Sequence, residues 1–394
     1  MKPALPIEKT ARLVARALGV TPLELDEGLR PATEADFAAV VSLRRQVLRE
    51  NLGWDDEAYL RWRYQFGSPH LATCWVCTRG DEVVGMIGVE ALQVSLAGQQ
   101  SAVHAVMDLM VRPDLDGCGL GVWINQAITH RLTQGLTPGL TPGLTPGLAQ
   151  AAVLAIGSNP NSKGVVARTF QPLPDRRSHT HPLHFGNFMA KRLSRAWLAS
   201  LASSVVGAGM GLLRVALLWA RAPFIRVEQV TQLGPEVERL LARSRRPDRI
   251  EVMRTTAGLT HRLLHNPRSV SQVWLARKSG EVVGMVAARF MRIEGGRLAL
   301  QIMDIVLDPQ SERAALSALL ARVTADGFRK GAEYLSVTTY DPQLERFFVA
   351  PLFKRQAHEY ETMAWVCPQD ALRQAVEAGA GWSLFDIHTD RDQT

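Results

Sequence analysis

Residues Val111–Gly121 read V-R-P-D-L-D-G-C-G-L-G, and a helical recurrence of apolar residues (Leu120, Trp123, Ile124, Ala127, Ile128, Leu132) begins where they end. The apolar run Met107–Val111 ahead of them reads as a strand. A strand feeding a glycine-rich turn at a helix N-terminus suits anion binding. The first backbone N–H groups of a helix lack partners inside it, and its aligned dipoles favour negative charge there. Gly117, Gly119 and Gly121 carry no Cβ that would hold a phosphate away from those amides. The ligand is not a dinucleotide or nucleoside triphosphate by pattern, since neither G-x-G-x-x-G nor G-K-[ST] occurs here. An ordinary strand-turn-helix with a glycine-rich turn is the competing reading.

The chain also repeats itself. Glu82-Val-Val-Gly-Met86 recurs as Glu281-Val-Val-Gly-Met285, 199 residues later, with Trp75 and Trp274 at matching distances ahead. Met107-Asp-Leu-Met-Val-Arg-Pro113 recurs as Met303-Asp-Ile-Val-Leu-Asp-Pro309, 196 residues later. The period is far longer than that of solenoid repeats, so a whole domain is used twice. Each copy has an early helix (Asp36–Arg49 in the first), two strands around a turn (Thr73–Thr78 and Val83–Ala91), a strand ended by proline with a helix after it, and a last strand (Val153–Gly157 or Tyr334–Thr339).

This order and the spacing Val111, Pro113, Gly119, Gly121 resemble the acyl-CoA-binding motif V-x-P-x-x-[RQ]-x-x-G-x-[GA] of GNAT-type (GCN5-related) N-acetyltransferases. The resemblance implies an α/β (α+β) fold of two tandem GNAT-like domains, with mixed, mostly antiparallel sheets flanked by helices. Expected boundaries are a helical extension over 1–28, a cofactor-binding domain over 29–188, a basic and apolar connector over 189–226, a second domain over 227–368 and a tail over 369–394. It also implies that backbone groups of Leu109, Met110 and Val111 hold the pantetheine arm as in strand addition. The amides of Asp116, Gly117, Cys118, Gly119, Leu120 and Gly121 would hold the pyrophosphate, and Asn161 would start a further contact helix. Two positions depart from the family. Asp116 stands where Arg or Gln is usual, and Arg168 replaces the tyrosine that often protonates the leaving thiolate.

Acyl transfer to an amine requires a positioned, deprotonated nucleophile. Asp108, on the strand before the loop, and Glu90, on the preceding strand, are the candidate bases. Asp304 repeats Asp108 in the second copy, so a structural aspartate is an equal reading. Gly119 and Gly121 become Ala315 and Ser317 in that copy, and Asp116 becomes Glu312. The first copy is therefore expected to bind acetyl-CoA or another acyl-CoA, and the second to serve as structure. The function implied is transfer of an acyl group to a small-molecule or peptide amine. A non-catalytic acyl-CoA-binding or partner-binding pseudoenzyme is the alternative.

At 394 residues the chain can bury two cores. Cys74, Cys77, Cys118 and Cys367 offer no second pair at zinc spacing and read as reduced thiols, and no metal is expected. His179, His181 and His184 read as a polar surface loop. The first residues lack a signal-peptide pattern, which implies a cytoplasmic setting. Ten Lys or Arg and one acid lie between Lys163 and Arg226. That stretch suits CoA phosphates, an acidic polymer or an anionic membrane more than nucleic acid. Within it, Ala196–Leu213 is uncharged, and a helix packed on the protein or lying on a membrane is expected rather than a span. Peripheral membrane contact through 189–226 and a monomeric pseudo-dimer or a dimer are the corresponding expectations. Three G-L-T-P repeats over Gly135–Leu148 read as an expanded loop.

Overall fold

Gly85 and Gly284, the glycines of the repeated E-V-V-G-M block, lie where a helix seats on a sheet. A Cβ on Gly85 would stand 2.7 Å from Ile124 Cδ1, and one on Gly284 would stand 3.1 Å from Ala315 Cβ. The computed structural model in which these contacts occur describes residues 6–48, 57–96, 99–134, 152–158, 164–172, 177–184, 196–222, 224–293, 296–339, 341, 344, 354–356, 361–366, 373–374 and 381–388. The G-L-T-P segment and Asn161 lie outside them.

The first half supplies α1 (Ile7–Leu18), α2 (Pro22–Gly28), β1 (Leu29–Pro31), α3 (Phe37–Val47), α4 (Glu57–Arg63), β2 (Thr73–Arg79), β3 (Glu82–Leu96), β4 (Gln99–Val111), α5 (Leu120–Thr133), β5 (Ala152–Ser158), β6 (Gln171–Pro172) and β7 (Arg177–Pro182). A long helix, α6 (Ala196–Ala220), connects to β8 (Ile225–Val230), α7 (Pro235–Arg243), β9 (Arg249–Val252), α8 (Thr256–Leu264), β10 (Gln272–Lys278), β11 (Glu281–Ile293) and β12 (Arg297–Leu307). The chain continues through α9 (Glu312–Arg329), β13 (Ala332–Thr339), β14 (Lys354–Gln356), β15 (Glu361–Val366) and β16 (Gly381–Ser383).

Two sheets of matching order result. One runs β1-β2-β3-β4-β5-β15-β6, and the other β8-β10-β11-β12-β13-β7-β14. Only the β4–β5 and β12–β13 neighbours on these paths are parallel. The architecture is therefore mixed, mostly antiparallel and flanked by helices, with the same plan in both halves.

The sheets do not respect the expected boundaries at 188 and 368. Strand β7, from the first half, pairs with β13 (Leu335↔His181), while β15, from the second half, pairs with β5 (Leu154↔Ala364). Each half completes the sheet of the other. Strand β9 adds to the far end of β3 and in turn pairs with β16. Trp62 and His261, which stand 199 residues apart in equivalent positions, stack at 5.2 Å. Trp62 Nε1 donates to the His261 carbonyl, and His261 Nε2 lies 3.2 Å from the Trp62 carbonyl oxygen. This is the self-complementary pattern of a two-fold interface, made here within one chain.

The N-terminal extension packs as two helices on the first domain. Val14, Ala15 and Leu18 join the core under α5, and Arg131 of α5 holds Asp26 Oδ1 at 2.7 Å. The tail is buried as well: Trp382 and Leu384 enter the core that holds α3 and α4, and Phe385 and Ile387 enter that of the second half. The three-histidine segment is not a surface loop. His179 and His181 are buried on β7, and His184 stacks on Phe328 at 4.5 Å. Among the described residues no group of ligating side chains could hold a metal ion.

His104 on β4 is fully buried, with neither ring nitrogen hydrogen-bonded among the described residues. Burial lowers its pKa to about 4. The unfolded chain therefore takes up a proton that the folded chain refuses, and the stability this residue permits at neutral pH is lost as pH falls from about 6.5 to about 4. The loss is at most about 3 kcal/mol. Urea unfolding at pH 7.5 and 4.5 should show a smaller acid-induced decline for His104→Leu than for the wild type; parallel declines would refute this.

Candidate functional site

Strands β4 and β5 pair in parallel from Val103↔Ala152 to Val106↔Ala155. Beyond that they part. The end of β5 pairs with β15 at Ser158↔Glu361, and Met107–Val111 continue against β3. The Arg112 N–H donates to the Val84 carbonyl at 3.0 Å. By the alternation of an antiparallel ladder, the peptide groups of Val111 then face away from β3, into the opening. Those of Met110 face β3, so of the three expected pantetheine contacts Val111 is the best placed and Met110 the least. Leu109 lies beside a bulge.

That bulge is a built feature. The register passes from Met86↔Met110 to Gly88↔Met107, which leaves one extra residue on β4, and Asp108 takes φ 50° there. Its carboxylate accepts from Tyr64 Oη at 2.5 Å and pairs with Arg44 Nη1 at 3.2 Å. The Arg44 and Asp108 side chains are 0% and 4% exposed. Burial opposes charge on Arg44, but Asp108 together with Tyr64 and Tyr59 outweighs it and raises the pKa. Burial, then Asp108, pushes the Tyr64 hydroxyl well above its ordinary value. Gly88 is required because a Cβ there would come within 2.6 Å of Tyr64 Oη.

The second half repeats the arrangement with a different partner. Asp304 sits at the β12 bulge, receives Arg254 in two bonds of 2.8 and 2.9 Å, and accepts the Ile305 N–H at 2.9 Å. The other candidate base, Glu90, is 4% exposed and ion-paired with Arg262 of the second half, which also donates to the Ile387 carbonyl. Both candidates are thus held by arginines, and Glu90 ties the halves together.

The glycine loop follows β4. After a short 3-10 turn over Pro113–Leu115, Gly117 and Gly119 take φ 81° and 89°, values that disfavour any Cβ, and α5 begins at Leu120. Among the described residues, the N–H groups of Gly117, Gly119, Leu120, Gly121 and Val122 donate to no protein carbonyl, and α5 has no side-chain cap. Gly121 differs from its neighbours: its backbone is ordinary, and a Cβ would rest at 3.5 Å from Val111 Cγ2. Asp116 is exposed, so water screens its charge. Arg112 holds Asp114 at 2.6 Å and also pairs with Glu82, which keeps both carboxyls below their usual range. Cys118 is partly exposed and Arg168 is exposed; Cys74 and Cys77 are buried, and burial raises the Cys77 thiol to about 12.

In the second half the loop is gone. Helix α9 starts at Glu312, the counterpart of Asp116, so a helical turn occupies the loop's place. Ala315 and Ser317 are buried inside that helix, and Glu312 pairs with Arg246 at 2.8 Å. The tail packs beside β12, with Phe385 and Ile387 in the core of that half. A cavity of about 30 Å³ remains among Arg246, Arg249, Glu251, Arg254, Asp341 and Phe385. That is room for about two waters.

Sequence reading did not find Arg44, Tyr64 or Arg262. The available signals were Gly88, an unexplained glycine in a strand, and Arg44 on the apolar side of α3.

No family profile matches the chain, and neither does any curated protein sequence. Solved structures do. A probable N-acyltransferase from Enterococcus faecalis matches with a TM-score of 0.56 at 11% identity over 86% of this chain and 71% of that one. A GCN5-related N-acetyltransferase from Anabaena variabilis matches with 0.56 at 11% over 86% and 72%. One from Kribbella flavida matches with 0.53 at 14% over 86% and 70%. The fold is that of the GCN5-related N-acetyltransferases.

The bulge lock has a measurable consequence. Asp108→Asn removes the counter-charge of a buried arginine and should cost about 3–5 kcal/mol in urea unfolding. Tyr64→Phe should cost about 1–3 kcal/mol. Stability unchanged in Asp108→Asn would mean that the carboxylate is not structural.

Proposed function

We propose that the protein transfers an acyl group from acetyl-CoA or another acyl-CoA to an amine, with the first domain as the catalytic one. The single observation that carries this is the set of unpaired amides at Gly117 and Gly119–Val122 beside the open stretch of β4, where the aligned residues of the second domain, Ala315–Ala318, lie inside a helix. The amides suit a pyrophosphate, and the free edge at Val111 suits an extended amide-bearing arm. The thioester, when bound, supplies the activated acyl carbonyl. The chain's own contribution is position: the bulge fixes where β4 leaves β5, and an amine presented there in its neutral form needs little beyond alignment. The acceptor is a small-molecule or peptide amine, and the setting is the cytoplasm, where acyl-CoA resides.

A second reading, acyl-CoA binding without turnover, is favoured by one observation. Asp108 and Glu90 are both engaged by arginines, and Arg168 stands exposed where the family has its tyrosine.

Gly121 gives the cleanest test, since its backbone is ordinary and a Cβ there would rest at van der Waals distance from Val111 and Leu109. Gly121→Val should keep the wild-type melting temperature and weaken CoA binding by about ten-fold or more in calorimetry. Ala315→Gly and Ser317→Gly should leave CoA affinity unchanged. Wild-type protein that ignores CoA would remove both readings. CoA binding without thiol release across a panel of amines would favour the second.

A further inference from the structure

Helix α6 joins the two halves, and its outer face is apolar. Eight of the eleven large apolar side chains exposed among the described residues lie on it or just after it: Trp197, Leu201, Val205, Leu212, Leu213, Leu217, Trp219 and Phe224. Leu212 is 72% and Phe224 92% exposed. Leu201, Val205, Leu212 and Trp219 fall in one stripe by helical spacing. The opposite side is seated on the protein. A Cβ on Gly207 would stand 2.7 Å from the Leu183 carbonyl oxygen and 3.4 Å from the Phe328 ring, so this glycine of the G-x-x-x-G pair serves contact within the chain. Among the described residues no helix is long and apolar enough to cross a membrane.

The charge around this stripe is one-sided. From Arg176 to Arg226 the sequence has eight Lys or Arg and no Asp or Glu. Arg221 and Arg226 are exposed directly beyond the helix, and Lys191, Arg192 and Arg195 precede it in the sequence. Tryptophans stand near both ends of a helix about 37 Å long. A second copy of the chain fits this face poorly, because it would bring like charge to like charge. An anionic lipid surface fits every feature: apolar residues to enter the acyl boundary, tryptophans for the headgroup level, and cations for the phosphates.

We infer that α6 is a membrane-docking helix that lies flat on an anionic bilayer. The exposed stripe enters the headgroup region, and the protein hangs from the side that carries Gly207. This surface is independent of the acyl-CoA site.

Co-sedimentation with phosphatidylcholine vesicles, with and without phosphatidylglycerol, tests it. The wild type should partition about ten-fold or more in favour of the anionic vesicles, and high salt should reduce the difference. The double variant Leu201→Glu/Leu212→Glu should lose about ten-fold or more of that partitioning while keeping its melting temperature and its thermal response to CoA. A variant that still binds vesicles like the wild type, or a wild type that binds neither kind, overturns the inference. So does a wild-type dimer in light scattering that the double variant abolishes, since the face would then belong to a second copy. The response to CoA is read separately, so failure here leaves the acyltransferase reading standing, and the reverse also holds.

Discussion

A buried carboxylate at a strand bulge has to be met by a buried cation, and the site follows from how this chain meets it. Asp108 is turned off the regular ladder at φ 50°, and Arg44 from α3 and Tyr64 from beyond α4 close on it. Left unpaired, either charge would cost several kcal/mol in such surroundings. The helices are therefore drawn to the point where β4 changes direction. A regular β4 would continue beside β5 and satisfy its own edge. The bulged strand instead leaves the peptide groups of Val111 without a ladder partner on that side, which is what an extended ligand needs. Asp304 and Arg254 hold the other sheet in the same way with an arginine from a different element, so the lock belongs to the fold and precedes any chemistry.

What separates the halves is one helical turn. The first uses the residues after its strand as a loop with two left-handed glycines, which keeps the amides at the start of α5 unpaired. The second begins its helix earlier, and the Glu312–Arg246 pair lies in that first turn. Backbone groups that could face a phosphate become intrahelical bonds. The tail then packs Phe385 and Ile387 into the same half, beside β12. Loss of the glycine loop and the longer helix are two sides of one change.

The repeat, the glycine loop and its loss in the second copy were legible because each is local: a run of residue types within about one turn or strand dictates the backbone. The order of strands was legible from the same blocks. The bulge lock was not, because Arg44 and Tyr64 are 64 and 44 residues from Asp108, and nothing in a helix pattern marks an arginine as the partner of a distant strand. The strand exchange was hidden for a related reason. Segments β7 and β15 each suit either sheet by alternation, and pairing is decided by tertiary context. His179 and His181 misled because they alternate with Ser178 and Thr180, which resembles a solvated stretch, although the strand is covered on the histidine side. Glu90 looked like a base by its place on β3, and its arginine lies in the other half of the chain.

Exchange of strands explains why a half without the glycine loop persists in the architecture. Since β15 lies between β5 and β6, the first sheet is incomplete without a strand encoded about 200 residues later. Linkage in one chain keeps that strand at a high effective concentration, as a separate partner could not. The Trp62–His261 contact, and Arg262 reaching from the second half to Glu90, then fix the two sheets against each other. The same exchange dictates where the connector goes. Strand β7 ends in the second sheet at Pro182, and α6 runs along α9, near Leu183 and Phe328. The apolar helix is carried by the half that lacks the glycine loop, away from the opening beside β4 in the other half.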